Sequence, residues 1–230
     1  MLNLKNLICL AFIAIISQLS AEVKLPSAIG DNMVLQREKP ITVWGFAEAG
    51  EQVTVSFAGE KANAKADKGG NWKVTLKAQK ANAKPQEMKI NSITVKNILI
   101  GDVWLGSGQS NMEWRLASTE GAKAAIAAAK YPNIRLFHVP KVQKPAPQTD
   151  VKAAWKECSP KSIPSFSAAL YYFGRKLHEE IDIPIGLINS SWGGSPIEPW
   201  FAKNGKMYNG MIAPIHNVAL KGFIWYQGET

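Results

Sequence analysis

The sequence predicts an α/β fold in two parts: a small all-β sandwich over residues 22–97, then a mainly parallel sheet layered between helices, α/β/α, over residues 98–230. Three observations predict it. Residues 22–96 run as short stretches of alternating apolar and polar side chains, broken by turn residues and without a helical segment. After Ile98, apolar strand-like runs alternate with segments of helical period, the pattern of parallel strands joined by crossover helices. Three of those later runs end in polar, glycine-containing segments, which suits strand ends that build a ligand rim.

At the N-terminus, Lys5 supplies a positive charge, Leu7 to Ile16 an apolar stretch of about ten residues, and Leu19-Ser20-Ala21 a small-residue cleavage site. That stretch is far shorter than the roughly 20 residues of a spanning helix. Residues 1–21 therefore read as a secretory signal, and the mature protein as secreted or periplasmic without stable membrane association. Cys9 falls inside the signal, so Cys158 is the one cysteine of the mature chain and the fold rests on its core rather than on a disulfide.

In the β-rich part, residues 41–45, 52–57, 72–76 and 92–95 read as period-two strands, with bends at Gly50, Gly59 and Gly69-Gly70. Ala62-Asn63-Ala64-Lys65 recurs as Ala81-Asn82-Ala83-Lys84, too short a match to define a repeat. The net charge of +9 arises from lysines dispersed among alanines and asparagines, a solvated surface without a nucleic-acid recognition motif.

Further along, Asp102 to Leu105 reads as a buried strand and Gly106-Ser107-Gly108 as the tight turn that follows it. Residues 118–130 form an alanine-rich helix stopped by Tyr131-Pro132, and 134–139 a strand. Residues 140–164 form a long proline-rich loop, a length more often functional than idle. Residues 167–181 make a second helix packed through Ala168, Leu170, Tyr171, Gly174 and Leu177. Residues 183–188 and 222–226 complete the strands. The segments after three strands, residues 106–111, 189–195 and 227–229, are expected on one rim.

Ser110 stands in the first of these segments, where its hydroxyl and backbone N–H face a ligand. The segment is not a phosphate loop, because no Lys-Ser or Lys-Thr pair follows the glycines. Nor is it a Gly-x-Ser-x-Gly elbow, because Met112 occupies the second glycine position.

Five ordered blocks, Gly106 to Trp114, Phe166-Ser167-Ala168, Gly186 to Trp200, Tyr208 to Pro214 and Ile224 to Glu229, resemble the sialate O-acetylesterase family of SGNH-type serine hydrolases, whose relatives include acetylxylan esterases. The resemblance implies an SGNH-like domain with Ser110 as nucleophile. It places oxyanion donors at the Ser110 N–H, at a glycine of the Trp192-Gly193-Gly194 turn, with Gly193 preferred to Gly194, and at the Gln227 side-chain amide. Asn111, Trp192 and Glu229 are substrate-rim candidates, with Glu198 a weaker one. Trp104, Trp114, Trp192, Trp200 and Trp225 offer sugar-stacking faces, of which one or two are expected to touch ligand. The implied partner is an acetylated sugar or glycan, and no metal or organic cofactor is required.

Two departures limit the resemblance. The family's base is a histidine in an Asp-x-x-His block near the C-terminus, and these 230 residues contain no such block. His138, His178 and His216 do not stand at its position. The expectation is an N-terminal part of a longer enzyme, inactive alone, with a noncatalytic carbohydrate-binding protein as the alternative. The other departure is the seven-residue link between Trp200 and Tyr208, where the family carries a longer insertion.

Overall fold

A computed structural model describes residues 22–228. The signal reading over residues 1–21 and the rim candidate Glu229 lie outside the described residues. Eleven strands and three α-helices are described, in the order β1 (Val34–Gln36), β2 (Ile41–Phe46), β3 (Gln52–Phe57), β4 (Glu60–Lys65), β5 (Asn71–Leu76), β6 (Asn82–Ile90), β7 (Ile93–Gly108), α1 (Ser110–Glu113), α2 (Ala122–Ala128), β8 (Tyr131–His138), β9 (Trp155–Cys158), α3 (Ala168–Ile181), β10 (Ile185–Ser191) and β11 (Gly222–Tyr226). Among them no helix is long and apolar enough to cross a membrane.

The organising element is β7, a single strand of 16 residues. Its first half pairs antiparallel with β6 and parallel with β1, in a sheet that continues through β3 to β4. The second half pairs parallel with β10 on one side and β11 on the other, and β10 leads on through parallel β8 to antiparallel β9. The strand expected at 92–95 and the one expected at 102–105 are thus one continuous backbone, which passes without a break through the position of the expected domain boundary. A separate antiparallel pair, β2 with β5, shares an apolar cluster with β3, β6 and the first half of β7 through Val43, Val53, Val55, Trp72, Val74, Met88 and Val95.

Side chains alternate across the parallel part of the sheet as strand period requires. Ile134, Leu136, Ile185 and Leu187 face a cluster with Leu170 and Tyr171 of α3. Phe137, Ile188 and Val103 face the other cluster, with Trp200, Met211 and Ile215 from short turns of residues 198–215 and with the N-terminal strands. Helices therefore cover one face among the described residues, while short turns and the β-rich part cover the other. The helix expected over 167–181 is α3, which begins one residue later because Ser167 is its N-cap and accepts from the Leu170 N–H at 3.1 Å.

Several local expectations are corrected. The helix expected over 118–130 is confined to Ala122–Ala128, because Gly121 in a left-handed conformation (φ 68°) separates it from a 3₁₀ turn at Leu116–Ser118. The loop expected over 140–164 contains β9, whose Trp155 and Cys158 are buried and pair with Phe137 and Tyr131 of β8. Strands β1, β4 and β6 went unread, since β1 has only three residues and β4 is lysine- and alanine-rich with neither face fully buried. The Gly106-Ser107-Gly108 segment is the paired end of β7 rather than a turn, and the chain bends only from Gly108 onward. Burial pushes the Cys158 thiol up to about 12, leaving it a neutral core residue.

A polar network fixes the crossing between the two sheets. Asp102 accepts from Arg37 Nε at 2.8 Å and Arg37 Nη2 at 3.1 Å, and from Gln36 Nε2 at 3.1 Å. Gln36 Oε1 in turn accepts the Val103 N–H at 2.8 Å. Beside it, Gly101 leaves no room for a side chain, since a methyl there would lie 1.8 Å from the Pro184 carbonyl oxygen. Burial alone would raise the Asp102 carboxyl, but the bonds from Arg37 and Gln36 and the Arg37 charge outweigh it, so it lies below the usual carboxylate range.

An Asp102→Asn variant is expected to lose about 2 kcal/mol at neutral pH, because it removes the charge of a buried acceptor that binds the half-buried Arg37 guanidinium through two bonds. The Asp102 contribution is fully present above the unfolded carboxyl value near ~4 and is lost as pH falls through the lower folded value. Urea unfolding between neutral and strongly acidic pH is expected to show the difference between the two proteins shrinking in acid.

Candidate active site

Three strand ends meet because their registers are level. Gly108 of β7 stands opposite Ser191 of β10 and opposite Tyr226 of β11. Main-chain bonds then stitch the departing segments together: the Trp192 N–H donates to the Gly108 carbonyl at 3.0 Å, and the Gln109 N–H to the Tyr226 carbonyl at 3.0 Å. Gly108 is required here. Its φ is 126°, and a methyl on it would lie 2.1 Å from the Tyr226 carbonyl oxygen. The expected convergence of residues 106–111, 189–195 and 227–228 on one rim is what the backbone shows.

Ser110 opens α1 and is half-buried; its N–H lies in the first turn, where no carbonyl of the preceding turn is available to it. Beneath it Met112 is 1% exposed and its sulfur accepts from the buried Ser167 hydroxyl at 3.6 Å. The Ala168 N–H donates to the Trp114 carbonyl at 2.8 Å and the Leu116 N–H to the Phe166 carbonyl at 3.0 Å. The block Phe166-Ser167-Ala168 thus anchors the serine turn to the start of α3.

Across the rim, a methyl built on Gly193 would lie 3.5 Å from Ser110 Oγ and 3.0 Å from Glu113 Oε2. The Gly193 N–H donates to Glu113 Oε2, and Lys141 Nζ bonds Glu113 Oε1. Burial raises the Glu113 carboxyl, yet the bonds from Lys141 and Gly193 and the nearby positive charge hold it below the usual range, so it is ionised at neutral pH. Ser110, Glu113, Trp114, Arg115, Ser118 and Gly193 line one cleft of about 320 Å³. Gly194, exposed and with φ 73°, does not line that cleft; it lines a second one of about 610 Å³ with Gln109, Ile197, Trp225 and Gln227.

Gln227 is held at both ends of its amide. Its Nε2 donates to the Ser195 carbonyl at 3.0 Å, and its Oε1 accepts from Trp225 Nε1 at 3.1 Å. An amide nitrogen carries two hydrogens, so one remains for a ligand. Trp192 is half-buried beneath Lys141, whose ammonium lies 5.8 Å from its ring centre. Asn111 is exposed on the same turn, and so is Glu198, on the 3₁₀ turn Glu198–Trp200. Of the five tryptophans, Trp104 and Trp200 are packing residues, in edge contact with Phe173 and Trp225. Trp114 is 53% exposed with its indole N–H fixed on the Ser118 carbonyl, which leaves a ring face open at the Ser110 cleft.

The histidines stand elsewhere. His178 Nδ1 is bonded to the Ile183 carbonyl and His216 Nδ1 to the Ala213 carbonyl. His138, at the end of β8, packs edge-on to Phe166 in a neighbouring cleft. Desolvation lowers its imidazole, and the Glu113 carboxylate opposes that shift. Sequence reasoning missed Glu113 and Lys141. The available signal was that Glu113 lies three residues past Ser110 and so returns to the same side of one helical turn.

Residues 100–230 match the model of the family described as carbohydrate esterase, sialic acid-specific acetylesterase. The chain belongs to this family. It is 31% identical over 254 residues to the sialate O-acetylesterase of Homo sapiens, covering 90% of this chain and 49% of that protein. With the sialate O-acetylesterase of Rattus norvegicus it shares 28% identity over 281 residues, covering 90% and 52%. The chain thus spans about half the length of the curated relatives it matches. The crystal structure of a carbohydrate acetylesterase from Xanthomonas citri superimposes with a TM-score of 0.84 at 39% identity, covering 91% of this chain and 52% of that one.

Substituting Gly108 by alanine is expected to force β11 away from β7 and to lower stability by about 2 kcal/mol or more. Thermal unfolding and the near-UV signal of Trp225 and Tyr226 check it; an unchanged melting temperature contradicts the close approach.

Proposed function

We propose that this chain carries the nucleophile half of an exported carbohydrate O-acetylesterase acting on an acetylated sugar, with an O-acetylated sialic acid as the favoured substrate. The observation that carries the reading is the facing of Ser110 and Gly193 in one cleft at the carboxyl ends of β7 and β10, with Gln227, after the neighbouring strand β11, lining the adjacent cleft. Family membership supports the chemistry, and the relatives named for sialate O-acetyl groups support the substrate.

In this reading Ser110 Oγ attacks the acetyl carbonyl and gives its proton to a base. The resulting oxyanion is held by the Ser110 and Gly193 N–H groups and by Gln227 Nε2. Collapse breaks the ester bond, releases the sugar hydroxyl with the proton returned by the base, and leaves acetyl-Ser110, which water hydrolyses to acetate. His178 and His216 are bonded to main-chain carbonyls and His138 packs on Phe166. The base is assigned to an Asp-x-x-His block of the complete protein, so the 230 residues alone are expected to turn over little or no ester. The exposed, anchored face of Trp114 supplies a stacking surface for the sugar ring.

The same exposed tryptophan favours one rival, a carbohydrate-binding protein without turnover. Acetate release from O-acetylated sialic acid and from acetylated xylan, measured with the complete protein, separates the readings. Ser110→Ala is expected to lower turnover by about a thousandfold or more while leaving sugar binding intact. Equal rates for the two proteins sink the nucleophile assignment, and higher activity on xylan reassigns the substrate.

A further inference from the structure

The Gly193 N–H, which the proposed reaction requires as an oxyanion donor, already has an acceptor in the Glu113 carboxylate. We propose that Glu113 is a resident anion in the oxyanion position: it occupies the Gly193 N–H in the free protein, Lys141 holds it there, and an acetyl carbonyl gains the donor by displacing it. The proposal rests on the assignment of Ser110 and Gly193 above.

The helical turn brings the carboxylate and the nucleophile to one amide. Glu113 Oε2 and Ser110 Oγ lie on the same side of Gly193, 3.0 and 3.5 Å from the position of a methyl there, and both residues line one cleft. The charge is maintained by its surroundings, which are Lys141 in direct contact and the Gly193 N–H.

Lys141 is also placed for the purpose. It opens the loop after β8, and that loop is clamped where the Lys144 N–H donates to the Lys206 carbonyl and the Gln148 N–H to the Asn209 carbonyl, at 2.9 and 2.8 Å. The Asn209 side chain donates to the Lys144 carbonyl at 3.2 Å. Because Lys141 binds Oε1 and Gly193 binds Oε2, rotation of the Glu113 side chain frees the amide while the ion pair persists. The exchange has a consequence for the product. Acetate is itself a carboxylate, so a returning Glu113 competes for the same donor and repels the departing anion.

Acetate therefore serves as the probe. In the purified, 15N-labelled protein, acetate is titrated against chloride at equal ionic strength while the Gly193 amide resonance is followed. Remote amides such as Val55 and Leu187 report that the fold is intact. Glu113→Ala, and Glu113→Ala combined with Lys141→Met, are expected to show a saturable Gly193 shift with affinity at least about tenfold above the native protein, the reach of one charge-assisted hydrogen bond. Glu113→Gln keeps the side-chain length without the charge and is expected to fall between, which covers a turn that the alanine loosens. Unchanged or weaker acetate binding in the variants overturns the proposal. So does a gain confined to the single variant, since Lys141 rather than the amide then holds the acetate. A Ser110→Ala protein that still released acetate would remove the catalytic reading whatever the titration showed; a failed titration in a protein that depends on Ser110 removes only the role of Glu113.

Discussion

Parallel strands place their carboxyl ends wherever register puts them, and here the register puts three of them level. Gly108 faces Ser191 on one side and Tyr226 on the other, so the backbone leaves the sheet at one height in three neighbouring strands. Every polar group of the rim descends from that alignment. A displacement of one residue in β10 would reverse which face its side chains occupy, exchanging Leu187 and Ile188 between the two apolar clusters. The two cores therefore hold the site's geometry through a discrete constraint, and small side-chain adjustments cannot shift it.

That alignment concentrates donors, and concentrated donors need acceptors. The turn after β10 aims a main-chain N–H at Glu113 in the cleft that Ser110 lines, and in a partly buried cleft such a group is unfavourable unless bonded. A water, a substrate or a side chain can serve. The chain supplies a carboxylate from the helical turn that Ser110 opens and compensates its charge with a lysine from another loop. In the proposed reading, the oxyanion and the Glu113 carboxylate answer the same donor, the Gly193 N–H.

Much of the scaffold was legible in the sequence because its signals were local. The helix ending at Ile181, Gly222–Tyr226 as a strand and Gln52–Phe57 as an alternating strand stand where their patterns put them. What escaped depended on partners far along the chain. β4 shows little apolar alternation because neither of its faces is fully buried, and β9 is a strand only by pairing with β8. The reading of Gly106-Ser107-Gly108 as a turn failed for a similar reason: glycine composition signals flexibility locally, whereas two neighbouring strands enforce extension through Gly108. For the candidate site, Ser110, Gly193 and Gln227 were proposed through family resemblance. Glu113 and Lys141 were not, since a lysine 28 positions from its partner carries no local pattern.

The block Tyr208 to Pro214 shows how a motif that resembles active-site sequence can act at a distance. Its Asn209 is 3% exposed and spends its carbonyl and side-chain amide on Gln148 and Lys144. The far side of the same loop is tied to the N-terminal segment, where the Ser27 N–H donates to Asp150 at 2.7 Å and Trp155 Nε1 to the Ala28 carbonyl at 3.0 Å. The loop that delivers Lys141 is thus fixed at one end by residues just before β11 and at the other by residues just before β1. Its rigidity depends on β7 holding both regions on one strand. The N-terminal segment is therefore tied to the loop that carries Lys141, the partner of Glu113, without touching Ser110.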